Sequence, residues 1–444
     1  MGVESMSDDI KKYYETYDYG SRTPVSIGLD QLTEVEKDRL IKSDVFCMIP
    51  WIHLHGWPTG EAFICCVAND KVPLGNLREQ TLEEVWNSNR MKKIRKNMLS
   101  GKPCIECKKC YSDESHGLFS MRNSSNKHFG HHIKDVEKTE EDGTHPEFKI
   151  RYWDVRFSNI CNMRCRYCGP NFSSNWWEDK AAIYGKDSMR HPKFQYSGKD
   201  KDDIWQQMQP HIPYLEQIYF AGGEPLIMDE HYKMLELMIE KGLTNVRLIY
   251  NTNFSELSYK KRDVLQMWKK FDSVSIGASL DGMGARGEYM RKGTVWSDIE
   301  DNRKRMLDVC PEVDLYVSPT ISLFNVQHIT DFHMDWVDKG LIKAQDWNIN
   351  VLQGPNYYRC DILPTKYKEN AVSKIERAVA WLEDKDHLQR ATNGYKGLMN
   401  FMLAEDRIDL LPEFFKINDK LDAVRAEKFE DVFPELEGLR SFVR

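Results

Sequence analysis

The sequence has no run of about 18 consecutive apolar residues, so nothing in it reads as a membrane-spanning helix. It has no excess of positive charge. Its 62 Lys and Arg stand against 69 Asp and Glu, a net charge of −7, which speaks against general nucleic-acid binding through a basic surface. The opening stretch, Met1 to Tyr14, is acidic and has no apolar core, so no secretory leader is expected. Met6 stands where an N-myristoylation site needs Ser or Thr. A cytoplasmic location without membrane attachment is the expectation. Low-complexity tracts are absent too. With 41% hydrophobic and 30% charged residues over 444 positions, the chain reads as globular, of two to three domains.

What is present is cysteine. Nine of the eleven fall into two groups: Cys47, Cys65, Cys66, Cys104, Cys107 and Cys110, then Cys161, Cys165 and Cys168. In a reducing compartment such tight spacings point to metal ligands rather than disulfides.

The chain divides by pattern. Residues 1–44 read as a polar, Tyr-rich arm. Residues 45–126 hold the first cysteine group, short apolar runs and a helix over Thr81 to Leu99. Residues 127–147 are charged and read as a linker. From 148 to 360 strand-like and helix-like runs alternate. Strands are expected at Ile150 to Phe157, Leu215 to Phe220, Asn245 to Tyr250, Ser273 to Leu280, Val313 to Val317 and Trp347 to Val351, with a Lys-rich helix after the third. Residues 361–444 read as helical. The fold class expected is α/β: a partial (β/α)6 TIM-like barrel, with a small α+β domain before it and a helical extension after it.

The run Cys161-Asn162-Met163-Arg164-Cys165-Arg166-Tyr167-Cys168 follows the first strand, at the end where β/α folds place their active sites. Three thiolates on one loop suit an iron–sulfur cluster. A structural zinc site wants four ligands, and no fourth Cys or His is near. Three ligands on a 4Fe–4S cluster leave one iron open.

With its aromatic residue before the last cysteine, this CxxxCxxC resembles the motif of the radical S-adenosylmethionine (SAM) superfamily. Ala221-Gly222-Gly223-Glu224-Pro225, after the second strand, resembles that family's GGEP motif. Ser279-Leu280-Asp281-Gly282 with Arg291 resembles its SxDG…R pattern, and Tyr250-Asn251-Thr252-Asn253 closes the third strand where the family has a polar run. The resemblance covers roughly residues 148–355. It implies a 4Fe–4S cluster on Cys161, Cys165 and Cys168. It also implies SAM held by Tyr167, Gly222, Gly223, Glu224, Asn251, Asn253, Ser279, Asp281 and Arg291, with Glu224 at its amino group and Arg291 at its carboxylate. An electron donor of the flavodoxin or ferredoxin type and reductive cleavage of SAM to a hydrogen-abstracting radical are implied with them.

The first cysteine group resembles a twitch domain, the shorter relative of the SPASM domain, which carries one auxiliary 4Fe–4S cluster. Here it precedes the barrel. The resemblance favours Cys47, Cys65, Cys107 and Cys110 as ligands. Cys104 is the rival to Cys107, and Cys66 points away from Cys65 if the run is a strand. A zinc ribbon is the competing reading of these cysteines.

Other residues carry weaker signals. His53 and His55 share a strand face, as metal ligands or as hydrogen-bonding surroundings of the auxiliary cluster. Cys310 reads as core. Cys360 stands on the barrel rim as a candidate catalytic proton or hydrogen donor, against the alternative of a loop cysteine. Trp176, Trp177, Tyr357 and Tyr358 stand near the expected mouth. Lys92 to Lys102 reads as a solvated helix face that also suits docking of an acidic electron donor. Three functions are weighed: a radical SAM enzyme acting on a small molecule or nucleotide, favoured because no peptide-recognition module stands out; a radical SAM peptide or protein maturase; and a zinc-bearing binding protein with a degenerate barrel.

Overall fold

The computed structural model describes residues 32–117 and 119–443. Of the arm expected over 1–44, residues 1–31 lie outside the described residues. Its remainder holds a short helix, Glu34–Lys37, with a capping box in which Thr33 and Glu36 satisfy each other's backbone N–H groups.

One eight-stranded sheet organises the rest. Its strands are β1 (His53–Gly56), β2 (Glu61–Phe63), β3 (Gly75–Asn76), β4 (Tyr152–Val155), β5 (Gln217–Phe220), β6 (Arg247–Thr252), β7 (Val274–Ala278) and β8 (Asp314–Val317). Their order is β8-β7-β6-β5-β4-β1-β2-β3. From β1 to β8 every neighbouring pair is parallel; β1–β2 and β2–β3 are antiparallel. The cysteine-rich N-terminal segment is thus built into the same sheet as the β/α segment. His53 to Gly56 pair in register with Tyr152 to Val155.

The strands carry two chemistries on two faces. In β6 Leu248, Tyr250 and Thr252 are buried, whereas Arg247, Ile249 and Asn251 are half-buried. The apolar set packs under the helix Asp229–Glu240, which buries Tyr232, Met234, Leu235 and Met238 against it. His231 on this helix bonds the Tyr250 hydroxyl at 2.9 Å. The other set lines the inner face, a period-two division that a strand imposes on any sequence. That inner face is polar, unlike the apolar filling usual for parallel strands.

Several elements depart from the sequence-based expectation. The helix expected over Thr81 to Leu99 breaks into Leu82–Trp86 and Asn89–Leu99, because the Ser88 hydroxyl accepts from Met91 N and caps a new start. Residues 127–147 continue the helix Met121–Phe129 into a 3-10 segment, Gly130–Lys138, whose His131 and His132 both bond Glu216. After β6 the chain makes a hairpin, Ser258–Tyr259 with Arg262–Asp263, before a five-residue helix, Val264–Trp268. Lys260 and Lys261 adopt left-handed φ there, so the lysines sit in a turn. The strand expected at Trp347 to Val351 is cut short. Trp347 forms a single bridge to Val317, and Asn350–Val351 pairs with Thr320–Ile321 outside the main sheet. Pro319, which has no N–H to donate, separates β8 from that pair. As the sequence implied, the end of the chain is helical, with Thr365–Leu382, Arg390–Ala404 and Leu411–Arg425 as its main helices.

The shared sheet predicts shared cooperativity. Leu54 on β1 is fully buried, and Leu54→Ala should cost about 2–5 kcal/mol. The expected result is one shifted denaturant transition for the whole chain, read by circular dichroism. Two separate transitions, only one of them shifted, would show that the N-terminal segment and the β/α segment fold independently.

Candidate iron–sulfur and SAM sites

Cys161, Cys165 and Cys168 stand on the loop after β4 and face one cavity of about 400 Å³ with Tyr167, Gly222, Gly223, Glu224, Asn251, Asn253, Ser279 and Arg291. Every residue expected there from the sequence lines it except Asp281, which stands behind Arg291. The loop is held open by a two-strand contact in which Cys165 pairs with Arg291. Burial raises all three thiols, Cys168 to about 12. An array of neutral thiols in this setting needs a metal to become thiolate. Among the described residues the one cation within hydrogen-bond range of these sulfurs is Arg291, whose Nη1 lies 3.6 Å from Cys165 Sγ. No fourth cysteine and no histidine among the described residues lines the cavity. Three soft sulfurs and an open side fit an iron–sulfur cluster with a free coordination position better than a closed zinc site.

The glycines are dictated by space. A Cβ at Gly223 would stand 2.0 Å from the Ile160 carbonyl oxygen, and Gly222 takes φ +122° with Arg156 packed against it. Glu224 is fully buried and already engaged. Its Oε1 accepts from Leu226 N (3.0 Å) and Thr252 Oγ1 (2.7 Å), and its Oε2 from Asn253 N (2.7 Å). Burial, working against these donors, pushes its carboxyl up to about 7. Asn253 in turn donates to Asn162 Oδ1 within the cysteine loop, at 2.8 Å. Asp281 accepts from Arg291 Nε at 2.5 Å and from Thr320 N at 2.7 Å. Three motifs distant in sequence are therefore one hydrogen-bonded frame. Glu224 and Asp281 are struts of that frame.

The first cysteine group closes a second, small cavity. Cys47, Cys65, Cys107 and Cys110 line it together with Ile49, Ile64 and Arg122. Cys104 does not line it; its thiol lies 3.8 Å from the Ile94 carbonyl. Cys65 and Cys66 fall in a turn after β2 rather than in the strand itself, yet they face opposite sides. Cys66 opens into an inner chamber of about 420 Å³ that also meets Tyr152, Arg156, Gln217, Tyr219 and Arg247.

Four expectations change. Cys360 is fully buried, and burial pushes its thiol up to about 12. It lines neither cavity and has no route to act as a donor there. His53 and His55 do not line the four-cysteine cavity; their Nδ1 atoms bond β4, at Tyr152 O (2.8 Å) and Asp154 Oδ2 (2.8 Å). The basic stretch is not uniformly solvated: Arg95 is fully buried, bonding Pro50 O and Asn87 and stacking over Trp86. Trp176 supports the cluster loop, its indole donating to Cys165 O, while Tyr358 is core. Cys310 is core as expected.

Sequence reading missed what holds the cysteine loop from behind. Arg166, inside the motif, is fully buried. It donates to Asn418 Oδ1 (2.8 Å), Asp422 Oδ1 (2.5 Å) and Glu427 Oε2 (2.6 Å), with its guanidinium 3.5 Å over the Tyr289 ring. Arg425 donates to Arg164 O and to Asp179. The partners lie some 250 positions downstream, beyond the reach of any local pattern. Arg166→Met would leave Asp422 without its cation and Glu427 with Lys292 alone. Breaking a buried pair in this way costs about 3–5 kcal/mol. The expected result is a chain whose thermal unfolding falls markedly and whose cysteine loop loses bound iron first. Unchanged stability would show that the helical extension does not brace the loop.

Comparison with known proteins agrees with this geometry. Residues 155–331 match the family model of the Radical SAM superfamily, and residues 47–111 that of SPASM, an iron–sulfur cluster-binding domain. A relative from Methanocaldococcus jannaschii, 7,8-dihydro-6-hydroxymethylpterin dimethyltransferase, is 21% identical over 207 residues, 46% of this chain and 35% of that protein. The chain thus spans about a third of the length of that relative. Among solved structures, native anSMEcpe with bound AdoMet shares 15% identity over 51% of this chain and 60% of that one, with a TM-score of 0.31. Native anSMEcpe with bound AdoMet and Cp18Cys peptide shares 16% over 56% and 64%, with a TM-score of 0.31. These overlaps cover less than two thirds of either structure and are too loose for residue-by-residue correspondence. A radical SAM domain takes a 4Fe–4S cluster and SAM, and an SPASM domain takes iron–sulfur clusters in addition. Residues 155–331 are thus a radical SAM domain, and residues 47–111, on its N-terminal side, an SPASM-type iron–sulfur domain.

Proposed function

We propose that this protein is an enzyme that cleaves SAM reductively and abstracts a hydrogen atom from a small-molecule substrate. The observation that carries the proposal is the cavity where Cys161, Cys165 and Cys168, with no fourth ligand among the described residues, face the same space as Glu224 and Arg291. In this reading Cys161, Cys165 and Cys168 hold the 4Fe–4S cluster. Tyr167, Gly222, Gly223, Glu224, Asn251, Asn253, Ser279, Asp281 and Arg291 form the SAM site, Asp281 by fixing Arg291. Cluster and SAM together supply a 5′-deoxyadenosyl radical. The residues of the chain orient and shield. The glycines let the backbone approach, Glu224 offers a buried carboxylate to a cationic group, and Arg291 offers a cation beside Cys165. The finer architecture belongs to the same reading: residues 148–360 as a partial (β/α)6 barrel and 361–444 as its brace.

Cys47, Cys65, Cys107 and Cys110 are the proposed ligands of an auxiliary cluster. Its role would be electron transfer or substrate positioning, since Cys66, next to Cys65, reaches the inner chamber. A flavodoxin- or ferredoxin-type donor would supply the electron. No helix of the described residues is long and apolar enough to cross a membrane. Beside the proposed SAM site, the inner chamber of about 420 Å³ suits a small molecule.

Two measurements test this reading. Anaerobically reconstituted protein should turn SAM into 5′-deoxyadenosine when given dithionite, and replacing Cys161, Cys165 and Cys168 together by Ala should abolish the product. Product persisting in that variant would sink the assignment. Iron analysis should give about eight irons per chain for two 4Fe–4S clusters. Cys47→Ser, Cys65→Ser, Cys107→Ser or Cys110→Ser should each bring this to about half, and Cys104→Ser should leave it unchanged. Loss of iron from Cys104→Ser with full iron in Cys107→Ser would overturn the ligand choice. Stoichiometric zinc in the wild type would overturn the auxiliary cluster itself.

A further inference from the structure

Arg156 follows β4 directly, its own N–H donating to Gly56 O at 3.0 Å. Its side chain lines both the SAM-side cavity and the inner chamber, a position it shares with Tyr219 alone among the described residues. The foot of the side chain packs close against Gly222, where a Cβ would lie 3.1 Å from Arg156 Cβ. Its head is not satisfied. The guanidinium has no hydrogen-bond or ion-pair partner among the described residues, and its Nε is buried. The ring of Phe172 lies 5.7 Å from it. Asp154, two residues earlier on the same strand face, is spoken for by His55 at 2.8 Å. No Asp or Glu among the described residues lines the inner chamber, and the single carboxylate of the SAM-side cavity, Glu224, already accepts three hydrogen bonds.

An arginine carries five donors in a fixed fork that matches carboxylate and phosphate, and leaving such donors unmade in a confined site is unfavourable. We infer that Arg156 binds an anionic group of the substrate, a carboxylate or a phosphate, at the junction of the two cavities. The inference rests on the function proposed above and narrows its substrate to small organic anions. From that junction the rest of such a molecule reaches into the inner chamber past Tyr219, or back over Gly222 toward the SAM site. The competing source of the same chemistry is the carboxylate of SAM itself, which Arg291 would otherwise hold.

Binding of small anions to the SAM-saturated, anaerobically reconstituted full-length protein tests the inference. The probes are inorganic phosphate and acetate, titrated calorimetrically into wild type, Arg156→Met and Arg156→Lys. Wild type should bind at least one of them saturably. Arg156→Met should weaken it at least tenfold, and Arg156→Lys, which keeps the charge and loses the fork, by less. SAM affinity, measured in parallel on all three, should stay within about twofold. Three results would overturn the inference: no saturable binding of either anion by wild type, equal anion affinity in Arg156→Met and Arg156→Lys as in wild type, or a tenfold loss of SAM affinity in Arg156→Met, which would make Arg156 a SAM ligand. A protein that makes 5′-deoxyadenosine and fails the anion titration keeps its proposed function and loses only this assignment; a protein that makes none loses both.

Discussion

The in-register pairing of His53–Gly56 with Tyr152–Val155 is the contact on which the rest of the arrangement depends. It carries the strand that follows Cys47 alongside the strand that precedes Cys161. A hydrogen-bonded parallel ladder allows no slippage, because a one-residue shift would turn Leu54 from the core to the inner face and His53 and His55 from the inner face to the core. Both cysteine groups are therefore rigidly placed relative to one another, with the inner face of the sheet between them. Glycine at position 56 belongs to the same constraint: a Cβ there would stand 2.9 Å from both Leu77 and Val155.

That inner face explains why the sheet is polar where parallel sheets are usually apolar. His53 Nε2, His55 Nε2, Asp154 Oδ1 and Arg156 Nε are all buried there without a protein partner among the described residues. Each such atom costs about 1–3 kcal/mol relative to a satisfied one. A fold selected only for stability would have filled these positions with apolar side chains, as it did on the outer face with Ile218, Phe220, Leu248 and Tyr250. Four such atoms gathered on two adjacent strands leave this face open to water or to a polar ligand. Burial also holds the His53 imidazole down to about 4, so it is neutral near pH 7 and takes no part as a charge.

Much of this was legible in the sequence, for a physical reason. Ligand-bearing loops sit at strand ends, so motif residues and strand predictions reinforce one another, and Cys161, Gly223, Asn253 and Ser279 all line one cavity. The preference for Cys107 over Cys104 came from the resemblance to twitch domains rather than from spacing, and it is Cys107 that lines the small cavity with Cys47, Cys65 and Cys110. The sequence was silent where partners are remote or where a side chain has no local pattern. Arg166 looks like any motif filler until Asp422 and Glu427 arrive from the end of the chain. Arg156 is one charge in a strand of mixed character, and nothing nearby in sequence shows that no carboxylate meets it. Cys360 failed for the converse reason. Proximity to a strand end suggested the rim, but the segment folds inward. Tyr358 N donates to Pro355 O in a tight turn that takes Cys360 into the core.

The frame formed by Glu224 and Asp281 changes how motif substitutions in such a site are to be read. Glu224 ties the end of β5 to the end of β6 through Thr252 and Asn253, and Asn253 ties both to Asn162 between the first two cysteines of the loop. Removing the carboxylate strands two backbone N–H groups as well as any ligand contact, so an alanine at this position mixes lost binding with a loosened cysteine loop. Glutamine keeps an acceptor and separates the two effects. The same burial that raises this carboxyl to about 7 makes its charge conditional. Its folded value lies above the ordinary 4.5, so in the free protein its contribution favours folding at low pH and is lost as pH rises through about 7. A cationic group arriving beside it reverses that preference, since the ionised form then gains a partner in a poorly solvated cavity. The fold thus holds a carboxylate whose charge is stabilised most when a cation is present, which is the condition a SAM ammonium would create.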